Sequence, residues 1–209
     1  MIRRDRVARV ALGLCLVLLS LTGAMPLHAG SPEPSGLIQA FNHQLLLAMS
    51  GGRSLGYRGR YDLLEPAVKE TFDIAAMTRI AVGPEWTALS DSQKNRMIDA
   101  FGRFTISTFA VRFDDFGGEK FEVGEARSVA GGVLVENRLV KPDGERIRID
   151  YVTHETANGW GVVDVYLDGT ISELAVRRSE FASILKRSGA EGLIAALEHR
   201  TQQMAMKDV

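Results

Sequence analysis

The hydrophobic period changes at Gly117-Gly118, and this change restricts the fold more than any other feature of the chain. Before it, apolar residues recur every three to four positions, the spacing of helices; after it they alternate, the spacing of strands. Phe121 and Val123 alternate with Glu122 and Gly124. Val133, Val135, Asn137 and Leu139 share a face of the next segment. Ile147, Ile149 and Tyr151 share a face of the third, with Arg146, Arg148 and Asp150 outward. Val163, Val165 and Leu167 line the fourth, Trp160 to Leu167. Asp143-Gly144 and Asn158-Gly159 are hairpin signals, so the segments are expected to form a four-stranded antiparallel meander with one apolar face. Asp168-Gly169 turns the chain, and Ile171-Ser172 lead into a helix from Glu173 to Arg187. Gly189 stops it, and a second helix starts at Ala190. Helices, then strands, then helices make an α+β domain.

The helices before Gly117 are also marked. Leu37, Phe41, Leu45 and Met49 fall four apart and end at Gly51-Gly52. Tyr61, Leu64 and Val68 share a face of a helix from Tyr57 to Thr71, with Pro66 inside it. Asp73 is placed to cap a short helix carrying Ile74, Met77, Ile80 and Ala81, which Gly83 stops. Ser90 with Gln93 is a capping box. The long helix it opens runs to about Phe113 with Met97, Ala100, Phe101, Phe104, Ser107, Thr108, Val111 and Phe113 inward.

Of the 209 residues, the first 29 read as a leader. Arg3, Arg4, Arg6 and Arg9 precede an apolar run from Val10 to Leu21, small residues follow at Thr22, Gly23 and Ala24, and cleavage falls at Ala29-Gly30 or, as the alternative, Ala24-Met25, the pattern of a secretory signal peptide. Residues 1–29 are expected to be a signal peptide and residues 30–209 a single domain. Cys15, the one cysteine, lies inside the leader, so the exported domain relies on its core without a disulfide. Cleavage would remove four Arg and one Asp, taking 25 basic and 26 acidic residues to 21 and 25. A net charge of −4 argues against nucleic acid as a partner.

Signatures of catalysis are sparse. The chain has no G-x-S-x-G, Walker loop, G-x-G-x-x-G or H-E-x-x-H. Its histidines show no ligand spacing, so no metal and no cofactor are expected. His154 and Asp164 lie on neighbouring strands and could serve as a base and its orienting carboxylate. Beside that reading, His154 is a solvent-face residue and Asp164 is a structural residue bonded to the terminal helix. Arg177 and Arg178 could hold a lipid phosphate or an acidic partner; a solvated helix face is the plainer reading.

Gly159-Trp160, Val163-Asp164-Val165, Asp168-Gly169, Ile171-Ser172, Arg178, Phe181 and Gly189 through Leu197 resemble the signature of the MlaC-like family, also called toluene-tolerance auxiliary proteins. Phe72-Asp73, Met77-Thr78-Arg79, Val82-Gly83 and Trp86 match a second block, and the helix after Ser90 a third. Within the family the chain looks closest to the hopanoid-associated HpnM branch, although Thr170 interrupts the commoner Gly-Val/Ile-Ser pattern.

The resemblance implies a periplasmic carrier, not an enzyme. It would shuttle a membrane lipid, hopanoid or phospholipid, between inner- and outer-membrane transport components. It also implies that the four-stranded sheet and the helices enclose an apolar pocket. By pattern, the pocket draws on Val135, Leu139, Ile149, Tyr151, Val163, Val165 and Leu167 from the sheet. Met77, Ile80, Phe101, Phe104, Phe113, Ile171, Leu174 and Phe181 face them, and about half of all these are expected on the cavity wall. Ile171 is singled out at the mouth, where replacement by Glu is expected to abolish copurifying lipid. The alternatives are a small periplasmic enzyme using His154 and Asp164, and a transporter adaptor that carries no lipid.

Overall fold

The computed structural model describes residues 33–206; the expected leader lies outside them. α1 spans Pro34–Thr71, α2 Ile74–Val82, and a 3-10 turn covers Gly83–Ala88. α3 spans Asp91–Arg112. The strands are β1 Lys120–Val129, β2 Gly132–Val140, β3 Arg146–Thr156, β4 Gly159–Leu167 and β5 Ile171–Ser172. α4 spans Glu173–Met206. The strands form one antiparallel sheet in the order β1-β2-β3-β4-β5.

The sheet therefore has five strands where four were expected. β4 and β5 are joined across Asp168 (φ 51°) and Gly169 (φ 70°), and the Thr170 N–H donates to Leu167 O at 3.2 Å. Two consecutive left-handed residues make a hairpin turn, which folds Ile171 back onto Leu167 before α4 begins. Gly169 is also confined by its neighbour, since a Cβ there would meet the Arg148 guanidinium at 2.9 Å.

Gly83 ends α2 as expected, but the other glycines expected to end helices bend them instead. Gly52 (φ 37°) and Gly56 (φ 58°) kink α1, and Gly189 (φ 63°) kinks α4. The chain then continues helically with no separating loop, and α1 runs through Pro66. The buried Arg60 side chain fixes the first kink. It donates from Nε to Ala110 O and from Nη1 to Gly52 O, both at 2.8 Å. Both predicted caps are present: Asp73 accepts the Ala76 N–H at 2.8 Å, and Ser90 with Gln93 forms the capping box.

Two bulges break strict alternation. One falls between Val123 and Ala126 on β1. The other leaves Val163 on β4 without a partner while Val162 pairs with Thr153 and Asp164 with Val152. An extra residue shifts every later side chain by one face. Asp150, expected outward, is fully buried. It accepts the Asn137 N–H at 3.2 Å and the Arg148 Nε–H at 2.6 Å, as a buried carboxylate must.

The helices pack on one another and on the sheet: α1 contacts β1, β2 and β4, and α4 contacts β4 and β5. Where α1 and α3 meet β3, the core is aromatic. Phe41 lies 5.1 Å from both Phe72 and Phe109 and 6.2 Å from Tyr151, ring centre to ring centre. Among the described residues, no helix is long and apolar enough to cross a membrane.

Candidate functional site

The aromatic core fills only one end of the space beneath the sheet. At the other end lies a cavity of about 330 Å³, within the size range of small-molecule sites. Strand register builds its floor. Leu139 pairs with Ile147, and Ile149 with Leu167, with Val165 two residues earlier on the same face. All five line the cavity. α3 supplies the opposite wall through Phe101, Phe104, Thr105, Thr108, Phe109 and Arg112, a run of three- and four-residue steps that keeps one helical face inward. Phe113, Phe72 and Met77 add to it. Glu173, Leu174 and Arg177 from the first turns of α4 complete the rim together with Asp164.

The polar groups on this wall are mostly engaged by the protein. The Thr105 and Thr108 hydroxyls donate to Phe101 O and Phe104 O, at 2.9 and 2.8 Å, so they make no demand for water inside. Asp164 accepts the Val165 N–H (2.7 Å), the Leu174 N–H (3.0 Å) and the Ser172 hydroxyl (2.6 Å). Ser172 Oγ in turn accepts the Ala175 N–H at 2.9 Å. Asp164 and Ser172 thus satisfy amide groups that helix geometry leaves open at the start of α4.

A ladder of charges runs along the rim. The Arg177 guanidinium sits 5.2 Å over the Phe104 ring and reaches Glu173 at 3.3 Å and Glu180 at 3.0 Å. Arg200, beyond the Gly189 kink, also pairs with Glu180 at 3.0 Å. Arg112 extends from the end of α3 to within 3.9 Å of Glu173. Burial would raise the Glu180 carboxyl, but hydrogen bonds from Arg200 and Arg177 outweigh it and hold it below the usual carboxylate range.

Nine of the fifteen residues expected at the pocket lie on this wall: Met77, Phe101, Phe104, Phe113, Leu139, Ile149, Val165, Leu167 and Leu174. The other six do not. Val135 and Tyr151 continue the same sheet face but are fully buried at the aromatic end of the core. Phe181 is sealed edge-on against Phe101 at 5.6 Å. Val163 falls at the β4 bulge. Ile80 on α2 is 40 % exposed, and Ile171 on the edge strand 49 % exposed. Ile171, expected at the mouth, does not line the cavity: it lies on the edge strand β5, and its hairpin partner Leu167 lines the cavity.

Nine further wall residues were not among those expected to line the pocket. Ile147 shares its strand face with Ile149, and Thr105, Phe109 and Arg112 follow Phe101 at helical steps, so periodicity carried a signal for these four. The positions of Phe72, Asp164, Glu173 and Arg177 depend on tertiary packing. The ninth, Thr108, was already expected to face inward.

His154 and Asp164 are not partners. His154 lies opposite Gly161 and Asp164 opposite Val152. His154 Nε2 sits 2.9 Å from Asp73 Oδ2, on the carboxylate that caps α2. Among the described residues, no group of three or more His, Cys, Asp or Glu is arranged to hold a metal ion.

Residues 40–199 match the family model described as MlaC protein. The structure is similar to that of the phospholipid-binding protein from Ralstonia solanacearum, solved in complex with a phospholipid. The TM-score is 0.72 at 23 % identity, covering 82 % of this chain and 98 % of that one. A likeness at that identity supports the fold. No curated protein matches the sequence.

Proposed function

Since the chain belongs to the MlaC family, we propose that it is a lipid-binding carrier whose cavity takes the hydrocarbon of a membrane lipid. The observation that carries this reading is the cavity's lining: aromatic and aliphatic side chains within, charged groups at the rim. Each methylene moved from water to such a wall gains about 0.8 kcal/mol, so a sixteen-carbon chain offers on the order of 10 kcal/mol before ordering costs. That drive holds a lipid in the protein while it crosses an aqueous space. Affinity of this kind lives in the off-rate, so a partner that opens the cavity is needed for release.

The phospholipid bound by the Ralstonia solanacearum protein supports a phospholipid as cargo. Sequence likeness to the HpnM branch adds a hopanoid as a second candidate, and an apolar wall alone separates two hydrocarbons weakly. The basic, apolar and small-residue pattern of residues 1–29 supports a cleaved signal peptide ahead of a single domain, and hence a periplasmic location. In that compartment the carrier would exchange lipid with inner- and outer-membrane transport components.

The test is transfer between membranes. Delipidated protein, mixed with vesicles containing a fluorescent phospholipid, should acquire lipid at up to one molecule per chain and deliver it to unlabelled acceptor vesicles. Protein that emerges from the donor vesicles with no lipid would rule out the carrier reading.

A further inference from the structure

We propose that the cavity end of the molecule is a membrane-docking surface, on which exposed apolar side chains around the rim seat the protein on a zwitterionic bilayer. The proposal rests on the carrier reading for its purpose. It concerns how the protein meets a membrane, not how the cavity holds a lipid.

Four large hydrophobic residues that stand in solvent belong to segments converging on the rim: Leu55 (38 % exposed), Phe116 (44 %), Val176 (41 %) and Met206 (72 %). Leu55 lies between Gly52 and Gly56, the kink of α1. That kink abuts the end of α3. Arg60 ties Gly52 O to Ala110 O, and a Cβ at Gly52 would meet Asp114 O at 3.2 Å. Phe116 follows in the same connection, three residues after Phe113 of the cavity wall. Val176 lies at the start of α4, between Glu173 and Arg177 of the rim. Met206 ends α4 on the same side of the molecule. The Arg200–Glu180 pair runs the second half of α4 back along its first half, and the Arg96–Glu191 and Arg103–Glu198 pairs run it beside α3 in the same direction.

None of the four lines the cavity. They stand singly among charged groups, the arrangement of side chains that enter a membrane interface. Each exposes apolar area that a bilayer would cover, and the opening they surround is itself apolar within. Hydrocarbon passing between a bilayer and the cavity here would cross no water. Charge decides the kind of surface. Arg112, Arg177 and Arg200 are balanced by Asp164, Glu173 and Glu180. Asp114 and Asp115 directly precede Phe116 and Glu119 follows it, against Arg53 beside Leu55 and Lys120, which pairs with Glu122. This end therefore has no surplus of cations to draw an anionic bilayer, and the carboxylates beside Phe116 oppose one. They also oppose a second copy of the same end. A zwitterionic bilayer meets the apolar side chains without that repulsion.

The experiment is flotation of delipidated protein with vesicles, beside calorimetry with dioctanoyl phosphatidylcholine, which reaches the cavity as a soluble lipid. The native protein should float with phosphatidylcholine vesicles. Phe116→Ser should weaken that binding by about fivefold, the effect of withdrawing a half-exposed phenyl ring from an apolar phase, and adding Val176→Ser should weaken it further. Both variants should keep the native thermal midpoint and the native affinity for dioctanoyl phosphatidylcholine, since neither residue lines the cavity. Vesicles containing phosphatidylglycerol should bind the native protein less well at low ionic strength, and added salt should close the gap. A Phe116→Ser protein that floats as the native one does would overturn the surface, and so would tighter, salt-sensitive binding to the phosphatidylglycerol vesicles. Native protein that stays off phosphatidylcholine vesicles yet binds dioctanoyl phosphatidylcholine would overturn it too and leave the carrier reading standing; a dimer in solution would then assign this face to a second copy. Native protein that floats but binds no dioctanoyl phosphatidylcholine would support the surface and contradict the carrier reading.

Discussion

Asp73 joins α2 to the sheet through His154: its Oδ1 accepts the Ala76 N–H at 2.8 Å, and its Oδ2 lies 2.9 Å from His154 Nε2. The Asp73 N–H also donates to Val162 O at 2.9 Å, so backbone and side chain hold the same junction. Met77, one turn into α2, thereby keeps its place on the cavity wall.

Asp73→Ala should cost about 1–2 kcal/mol, the loss of a helix cap together with a cross-element hydrogen bond. His154→Ala should cost less, because the cap survives. Denaturant unfolding of both single variants and the double variant should give a coupling of about 0.5 kcal/mol or more. His154→Ala should also retain full lipid loading, since His154 is not on the cavity wall.

Val165→Trp should empty the cavity. Val165 projects from β4 into open space, which gives the larger ring room without the strain of overpacking. Copurifying lipid should fall to less than about a tenth of the native level, equivalent to ~1.4 kcal/mol. Ile171→Glu should leave lipid recovery near native, because Ile171 lies on the exposed edge strand. Organic extraction of matched amounts of the two variants distinguishes these outcomes.

Tyr151 carries a testable pH dependence. Its hydroxyl is buried with no hydrogen-bond partner among the described residues, and burial raises the phenol well above its ordinary value. An unfolded phenol ionises near about pH 10 while the folded one stays protonated, so the unfolded state loses its proton first. This contribution to stability is complete below about pH 10 and is lost as pH rises further, by up to ~1.4 kcal/mol per unit. Burial also raises the partly exposed Tyr61, so the two slopes must be separated by difference. Tyr151→Phe should be neutral or stabilising by up to ~1 kcal/mol at neutral pH, and should lose stability less steeply above about pH 10.

Arg60→Met should destabilise the protein by roughly 3 kcal/mol. The buried guanidinium ties Gly52 O at the α1 kink to Ala110 O near the end of α3, and the variant leaves those acceptors without these donors. The midpoint of urea unfolding would report the loss.

Period and punctuation made most of this fold legible. The switch at Gly117-Gly118, the Ser90-Gln93 box and the Asp73 cap are local signals, and local geometry obeys them. Asp168-Gly169 carried a hairpin signal as well, but β5 is only two residues long, too short for its own alternation to declare a strand. The cavity was legible in part. A strand face names every residue that points the same way; it does not say where along that face packing stops. Leu167, Ile149 and Ile147 meet open space, whereas Tyr151 and Val135, further along, meet the Phe41 and Phe72 end of the core. The β4 bulge removed Val163 from its expected row. The rim charges escaped periodicity altogether, because Arg112, Glu173 and Arg177 meet only when α3 and α4 pack.

Mass spectrometry of an organic extract from native protein, purified without detergent beside Val165→Trp, tests the lipid cavity most directly. The native chain should yield close to one molecule of a phosphate-bearing diacyl lipid per protein, and the variant little or none. Native protein that yields no lipid, or lipid recovered equally from both, would contradict the assignment of this cavity as the carrier site.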